Sequence, residues 1–324
     1  MQRFVTTGEG VRLWTESSGH AEDPPVLLIT GANASAPSWP DEFVELLVSR
    51  GWRVLRYDHR DTGRSTRVDI IERPYSVADM AGDAVAVLDG HGITGAHVVG
   101  FSLGGTLGQV LALDHGPRLR SLALVATAAL DVDFVGNMRR ALADEPSPDG
   151  LPTPTPQIVR AMVSRADPVT DRESALRARV DEWRLLAGEV LPFDAEEFRR
   201  LEQRVMDHEG SWQRPGNHAV TTPVPTERGV DLAQVTTPTL VVEGGQGPIN
   251  PPPHGAALGR CTPPWPVRAG TRHGTRPARQ RAPVPRRTSR RALPVVLDRG
   301  PLRAGSVTRR GHDSCPVGCG RACG

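Results

Sequence analysis

The chain has 324 residues, enough for a full core in one or two domains, and its formal net charge of +2 averages two unlike segments. All 39 basic residues are arginine; up to Arg260 there are 25 of them against 35 acidic residues, and after it 14 against only Asp298 and Asp313. All four cysteines lie after Arg260, which excludes a disulfide-held fold before it. The start lacks the apolar run of a secretory signal, and no stretch is apolar for long enough to cross a bilayer, so a cytoplasmic protein without a membrane partner is expected.

Arg3 to Thr7 and Val11 to Glu16 alternate like strands around a Gly8-Glu9-Gly10 turn. Pro25 to Thr30 is the kind of apolar run that a strand buried on both faces shows. Asp41 to Ser49 has helical spacing at Phe43, Leu46 and Leu47, and Trp52 to Asp58 reads as the next strand. Ser76 is placed to cap a helix running to Leu88. The run Ala96-His97-Val98-Val99-Gly100-Phe101-Ser102-Leu103-Gly104-Gly105 then takes a β-branched strand through Gly-x-Ser-x-Gly into a helix. In such a nucleophile elbow the turn is so tight that the flanking residues must be small, hence Gly100 and Gly104, and it holds the Ser102 hydroxyl above the sheet. Without the strand and helix around it, the five-residue pattern would mark only a Gly-Ser turn.

Ser121 to Ala126 and Thr239 to Glu243 are further strands, and strands alternating with helices mean a mostly parallel α/β sheet with crossovers. Between them the pattern turns helical: Phe134 to Ala143, Pro156 to Arg165, Arg172 to Leu186 and Ala195 to His208, joined by Pro-rich loops. The expected organisation is a core over residues 1–130 and 235–260, a helical cap over 131–234 inserted after the sixth strand, and an Arg/Pro-rich tail over 261–324. Ligands bind at the carboxyl edge of such sheets. Trp183 and Trp212 are either walls of an apolar pocket there or packing between cap helices.

In this order the chain resembles the α/β-hydrolase superfamily. The resemblance rests on the elbow at Ser102, on the loop Asp58-His59-Arg60-Asp61-Thr62-Gly63-Arg64-Ser65, and on Thr30-Gly31-Ala32-Asn33 at the place of the oxyanion loop. At finer grain the chain is similar to the bacterial anthracycline methyl-ester hydrolases (aclacinomycin and rhodomycin D methylesterases). The similar stretches are Trp39 to Phe43, Arg56 to Thr66, Asp83 to Gly90 and Pro248 to Gly255. The resemblance implies an α/β-hydrolase fold and a serine esterase that removes the methyl group of a carbomethoxy ester on an anthracycline intermediate, without cofactor or metal. Ser102 would attack the ester carbonyl, and the N–H groups of Leu103 and Ala32 would receive the oxyanion. Asp58 to Asp61 would be structural.

The chain departs from that family in its C-terminal part. The triad order is serine, acid, histidine, and the expected acid position is occupied by Gly247, one base from an aspartate codon. The expected Gly-x-Gly-His segment is missing. Thr271 to Ala278 can be encoded so that a reading one base later gives Pro-Gly-Met-Gly-His-Ala-Leu-Pro. The expectation is therefore that the chain after about Arg260, which shows no strand or helix periodicity, is a frame-shifted reading without evolved function. Cys315, Cys319 and Cys323 do not have zinc-site spacing. Other candidate partners for Ser102 are the acids Asp131 and Asp133 and the histidines His208 and His218 (cap), His254 (a Pro-rich loop) and His273.

Alternative functions are a generic carboxylesterase or perhydrolase-type enzyme, and a binding protein that keeps the pocket without its acid and base. Nucleic-acid binding by the arginine-rich tail is disfavoured, because the tail lacks stacking aromatics and a folded platform. The sequence leaves the oligomeric state open.

Overall fold

The computed structural model describes residues 1–164, 169–260 and, for the backbone, 267–270. Eight strands form one sheet in the order β1-β2-β4-β3-β5-β6-β7-β8. They are β1 (Gln2–Thr6), β2 (Arg12–Ser18), β3 (Pro25–Ile29), β4 (Arg53–Tyr57), β5 (Ala96–Phe101), β6 (Leu119–Val125), β7 (Thr239–Gly244) and β8 (Val267–Gly270). The pairings of β2 with β1 and with β4 are antiparallel, and every other pairing is parallel.

The sheet is buried by the alternation of its side chains. Leu27, Ile29, Leu55, Val98, Leu122 and Leu124 point to one face, where they meet α2 (Val77–Gly90) and α3 (Leu103–Asp114). Val26, Leu28, Val54, Val99 and Ala123 point to the other face, against Val44 and Leu47 of α1 (Asp41–Val48). All five residues of β3 are buried, as its continuous apolar run requires. Ser76 caps α2 reciprocally with Asp79: the Ser76 hydroxyl accepts the Asp79 N–H, and the Asp79 carboxylate accepts the Ser76 N–H at 2.7 Å.

Four helices lie in the chain between β6 and β7: α4 (Phe134–Ala143), α5 (Pro156–Ser164), α6 (Arg172–Leu186) and α7 (Ala195–Glu209). Their bounds follow the spacing of the sequence within a residue, and Asp133, Asp171 and Asp194 cap three of them. A short helix, α8 (His254–Arg260), follows β7.

Two expectations are corrected. Regular structure does not end at Arg260, because Val267–Gly270 pairs in parallel with Val241 to Gly244. Four residues are too few to show a period, and a strand added to a sheet edge needs only its backbone groups. His254 does not lie in a loop but opens α8, directly after Pro251-Pro252-Pro253. Proline is suited to helix starts, since its missing N–H would have no acceptor there. The frame-shift expectation for 271–324, with His273 and the cysteines, lies outside the described residues.

Candidate active site

The chain passes from β3 to β4 on one side and returns to β5 on the other, so the carboxyl ends of β3 and β5 flank a crevice where loops leave the sheet in opposite directions. Ser102 stands there, between β5 and the first residue of α3. Its φ of 54° is in the left-handed region, which non-glycine residues enter at a cost of about 1–3 kcal/mol and which marks a turn imposed by its surroundings. The Ser102 N–H is tied to the Val125 carbonyl at 2.9 Å, and its own carbonyl accepts the N–H of Gly105 at 2.8 Å. The glycines around it are forced. A Cβ on Gly100 would stand 2.1 Å from the Gly104 carbonyl oxygen, and one on Gly104 would stand 2.4 Å from the Ile29 carbonyl oxygen.

The loop after β3 runs beside the elbow. A Cβ on Gly31 would lie 3.4 Å from Ser102 Cβ, ordinary contact distance. Ala32 is exposed at the turn and Asn33 follows at φ 58°. Among the described residues neither the Ala32 N–H nor the Leu103 N–H, the first of α3, has an acceptor. Two backbone donors near one serine at a helix N-terminus are suited to stabilise negative charge on an oxygen bound there.

The loop after β4 underpins both. The Asp58 carboxylate is fully buried and accepts the N–H groups of Ala36 and Arg64, each at 2.8 Å, while His208 Nε2 donates to its Oδ2 at 2.7 Å. Gly63, at φ 52°, leaves room for that carboxylate, 2.1 Å from where a Cβ would be. Arg60 makes a bidentate pair with Asp83 at 2.7 and 2.8 Å. Asp61 accepts the Tyr75 hydroxyl and the Val68 N–H, both at 2.5 Å. His59 points Nε2 at the Thr30 carbonyl, 3.2 Å away, and burial, with His218 nearby, lowers its pKa to about 3. All four residues are thus held as scaffold.

On the far side of β6, Gly247 lies in the loop after β7 with its N–H on the Gly244 carbonyl at 3.2 Å. Its nearest obstacles to a Cβ are the carbonyls of Asn250 and Gly244, both at 3.6 Å. Glu243, at the end of β7, accepts the Gly255 N–H with one carboxylate oxygen at 2.5 Å.

The rival partners are engaged elsewhere. His218 accepts the Asn33 N–H at Nδ1 and donates from Nε2 to the Arg60 carbonyl, and His254 Nε2 donates to the Pro152 carbonyl at 2.9 Å. Asp133 caps α4 through the Gly136 N–H and pairs with Arg140, and Asp131 lies against Gly229. None of the described histidines bonds to the Ser102 hydroxyl. Trp183 packs helices: it stacks on Phe198 of α7 at 5.0 Å, and its indole N–H donates to Glu202 at 2.6 Å. Trp212 is 41% exposed.

Sequence reasoning did not foresee that α7 and the segment after it hold the loop after β3. The signal was absent, since these contacts join residues 150 to 185 positions apart.

Residues 24–263 match the family model for the alpha/beta hydrolase fold. Over 261 residues the chain is 48% identical to rhodomycin D methylesterase DnrP of Streptomyces peucetius, a match that covers 81% of this chain and 87% of that protein. It is 47% identical to rhodomycin D methylesterase DauP of Streptomyces sp. (strain C5), over 79% of this chain and 86% of that one. Among solved structures, a hydrolase from Pseudomonas aeruginosa PA01 superposes with a TM-score of 0.57 at 24% identity, over 83% of this chain and 89% of the other, a likeness of fold. The elbow at Ser102, the strand order and these matches together show that the chain belongs to the alpha/beta-hydrolase family.

Proposed function

We propose that this chain is a carboxylic ester hydrolase that removes the methyl group of a carbomethoxy ester on an anthracycline-type aromatic polyketide, through an acyl-enzyme on Ser102. The observation that carries it is the 48% identity to a rhodomycin D methylesterase across most of both chains. Ser102 Oγ attacks the ester carbonyl, and the N–H groups of Ala32 and Leu103 receive the charge on the tetrahedral oxygen. The C–O bond to methoxide breaks, methanol leaves with a proton, and water then releases the carboxylate and restores Ser102. The helices within 131–234 act as a cap that supplies an apolar surface for a flat substrate. The partner is a small molecule, the setting is the cytoplasm, and neither nucleic acid nor membrane takes part.

The reaction also needs a base and an acid to orient it. Gly247 occupies the acid's place, and the frame-shift reading assigns the histidine to the alternative frame near Thr275, outside the described residues. Coding DNA read from the Pro238 codon to the stop tests this: an aspartate codon at 247 and a Gly-Met-Gly-His reading near Thr275 are expected. The frame-corrected protein should release methanol from a carbomethoxy anthracycline, and its Ser102→Ala variant should not. Absence of release from the corrected protein overturns the proposal. Because Gly247 cannot orient an imidazole, the chain with glycine at that position has a second reading as a binding protein, distinguished by ligand binding without turnover.

A further inference from the structure

The loop after β3 is fastened from the far end of the helical insertion by three side chains. His208 Nε2 donates to Asp58, whose other oxygen takes the Ala36 N–H at 2.8 Å. Glu209 Oε1 accepts the Ser35 hydroxyl at 2.9 Å. His218 Nδ1 accepts the Asn33 N–H at 2.8 Å, and the Asn33 side chain returns the contact by accepting the His218 N–H at 3.3 Å. Of the three, His218 acts closest to Ala32, and it acts on the residue that holds the left-handed φ of 58°.

The chemistry of the ring is fixed by its partners. The Arg60 carbonyl, 2.9 Å from Nε2, can only accept, so Nε2 carries the hydrogen and Nδ1 offers its lone pair to Asn33. That is the neutral ring, and burial, which lowers the His218 pKa, favours it. The other groups facing the ring are Arg60, Asp61 and Arg67 together with His59, whose centroid is 5.5 Å away. The Asn33 N–H belongs to the peptide plane that follows Ala32. Anchoring that plane keeps the Ala32 carbonyl from rotating toward the crevice and limits how far the adjoining Gly31–Ala32 plane, which carries the Ala32 N–H, can turn beside Ser102.

We propose that His218 is a positioning residue for the oxyanion loop, fixing the Ala32–Asn33 peptide through its Nδ1 acceptor so that the Ala32 N–H faces the carbonyl attacked by Ser102. The proposal rests on the reading of Ser102 as nucleophile and Ala32 as oxyanion donor. A misdirected donor in such a hole lowers turnover by about tenfold to hundredfold while leaving ground-state binding nearly unchanged.

Three substitutions separate the two ring nitrogens. In His218→Asn the side-chain oxygen takes the place of Nδ1; in His218→Gln the amide nitrogen reaches the place of Nε2; His218→Leu keeps bulk and removes both. The first readout is amide hydrogen exchange in peptides covering residues 31–36, which needs no turnover. Exchange about tenfold faster in the Leu and Gln variants, with the Asn variant close to the parent, is expected. The second readout, taken in the frame-corrected protein with aspartate at 247 as the parent, is hydrolysis of p-nitrophenyl acetate: kcat falls about tenfold to hundredfold in the Leu and Gln variants with KM within about twofold, and the Asn variant recovers.

Equal exchange in all four proteins overturns the proposal. So does equal behaviour of the Asn and Gln variants, which would mean that the ring serves only packing. If Ser102→Ala hydrolyses the ester as fast as the parent, the serine reading fails on its own, and the exchange pattern still decides whether His218 anchors the loop.

Discussion

The two loops that would have to cooperate in this crevice are built to different standards. On the β3–β5 side almost every position is constrained. Gly100 and Gly104 admit no Cβ, Ser102 and Asn33 are held at positive φ, and the loop after β3 is fastened by His208, Glu209 and His218. The loop after β7 is shaped from outside. Gln246 accepts the N–H groups of Glu189 and Val190, the Pro248 carbonyl accepts the Thr155 N–H, and Asn250 donates to the Ala126 carbonyl. None of those contacts involves position 247, where a Cβ would meet nothing closer than 3.6 Å. Glycine is therefore a requirement of the fold at the elbow and has no structural reason at Gly247. The proposed reading of position 247 as the seat of the triad acid needs such room.

The strongest way to break this contrast is to restore the side chain. In a chain with the corrected C-terminal reading, Gly247→Asp should raise kcat/KM for a carbomethoxy ester by about 10³-fold or more, the scale on which a triad acid acts. The variant should fold as its parent does, since the site is open. A correctly folded variant with unchanged methanol release would show that the acid is supplied from elsewhere.

Next in size are the elbow glycines. Gly104→Ala pushes a methyl against the Ile29 backbone and Gly100→Ala against the Gly104 backbone, neither of which can move without shifting a central strand or α3. Each should cost about 2–4 kcal/mol, read as a lower urea midpoint. A midpoint within error of the parent would mean that the turn relaxes and that the two loops are less different than their geometry says.

How much of this was legible in the sequence follows the same division. The elbow was legible because its constraint is local: strand, Gly-x-Ser-x-Gly and helix lie within some twenty consecutive residues, and steric necessity fixes the residue types. The helices between β6 and β7 were legible from their spacing and from caps such as Asp171 and Asp194. The fastening of the oxyanion loop was not. His218 and Asn33 are 185 residues apart, and nothing in Gly216-Asn217-His218 signals a partner. Trp183 was ambiguous for the same reason, because only the fold shows that Phe198 and Glu202 lie beside it. The strand Val267–Gly270 was hidden by its brevity within an Arg/Pro-rich context.

The constrained side also carries an acid-sensitive element. His59 and His218 are buried as neutral rings beneath the oxyanion loop, and burial holds the His59 pKa near 3, far below its ordinary 6.5. The unfolded chain therefore binds a proton at His59 below pH 6.5 that the folded chain refuses. The contribution is fully present above pH 6.5 and is lost as pH falls toward 3, by about 1.4 kcal/mol per unit. Urea unfolding of the parent and of His59→Gln between pH 6.5 and 4.5 isolates this, since the carboxylates are common to both and cancel in the difference. The parent should lose stability more steeply by about one proton; parallel curves would place a charged or solvated ring at His59.

The smallest effect tests the contrast most directly. Gly247→Ala introduces the same methyl that the elbow refuses, at a position whose φ is outside the left-handed region and whose surroundings leave ordinary contact distance. The alanine should narrow the unfolded ensemble without straining the folded one, a gain of roughly 0.4–1 kcal/mol in unfolding free energy. A methyl is not an acid, so the same substitution should leave ester turnover at the level of the glycine protein. A clear loss of stability would mean that the loop after β7 needs its glycine as the elbow needs Gly100. Position 247 would then be part of the scaffold and not the empty seat of a catalytic residue.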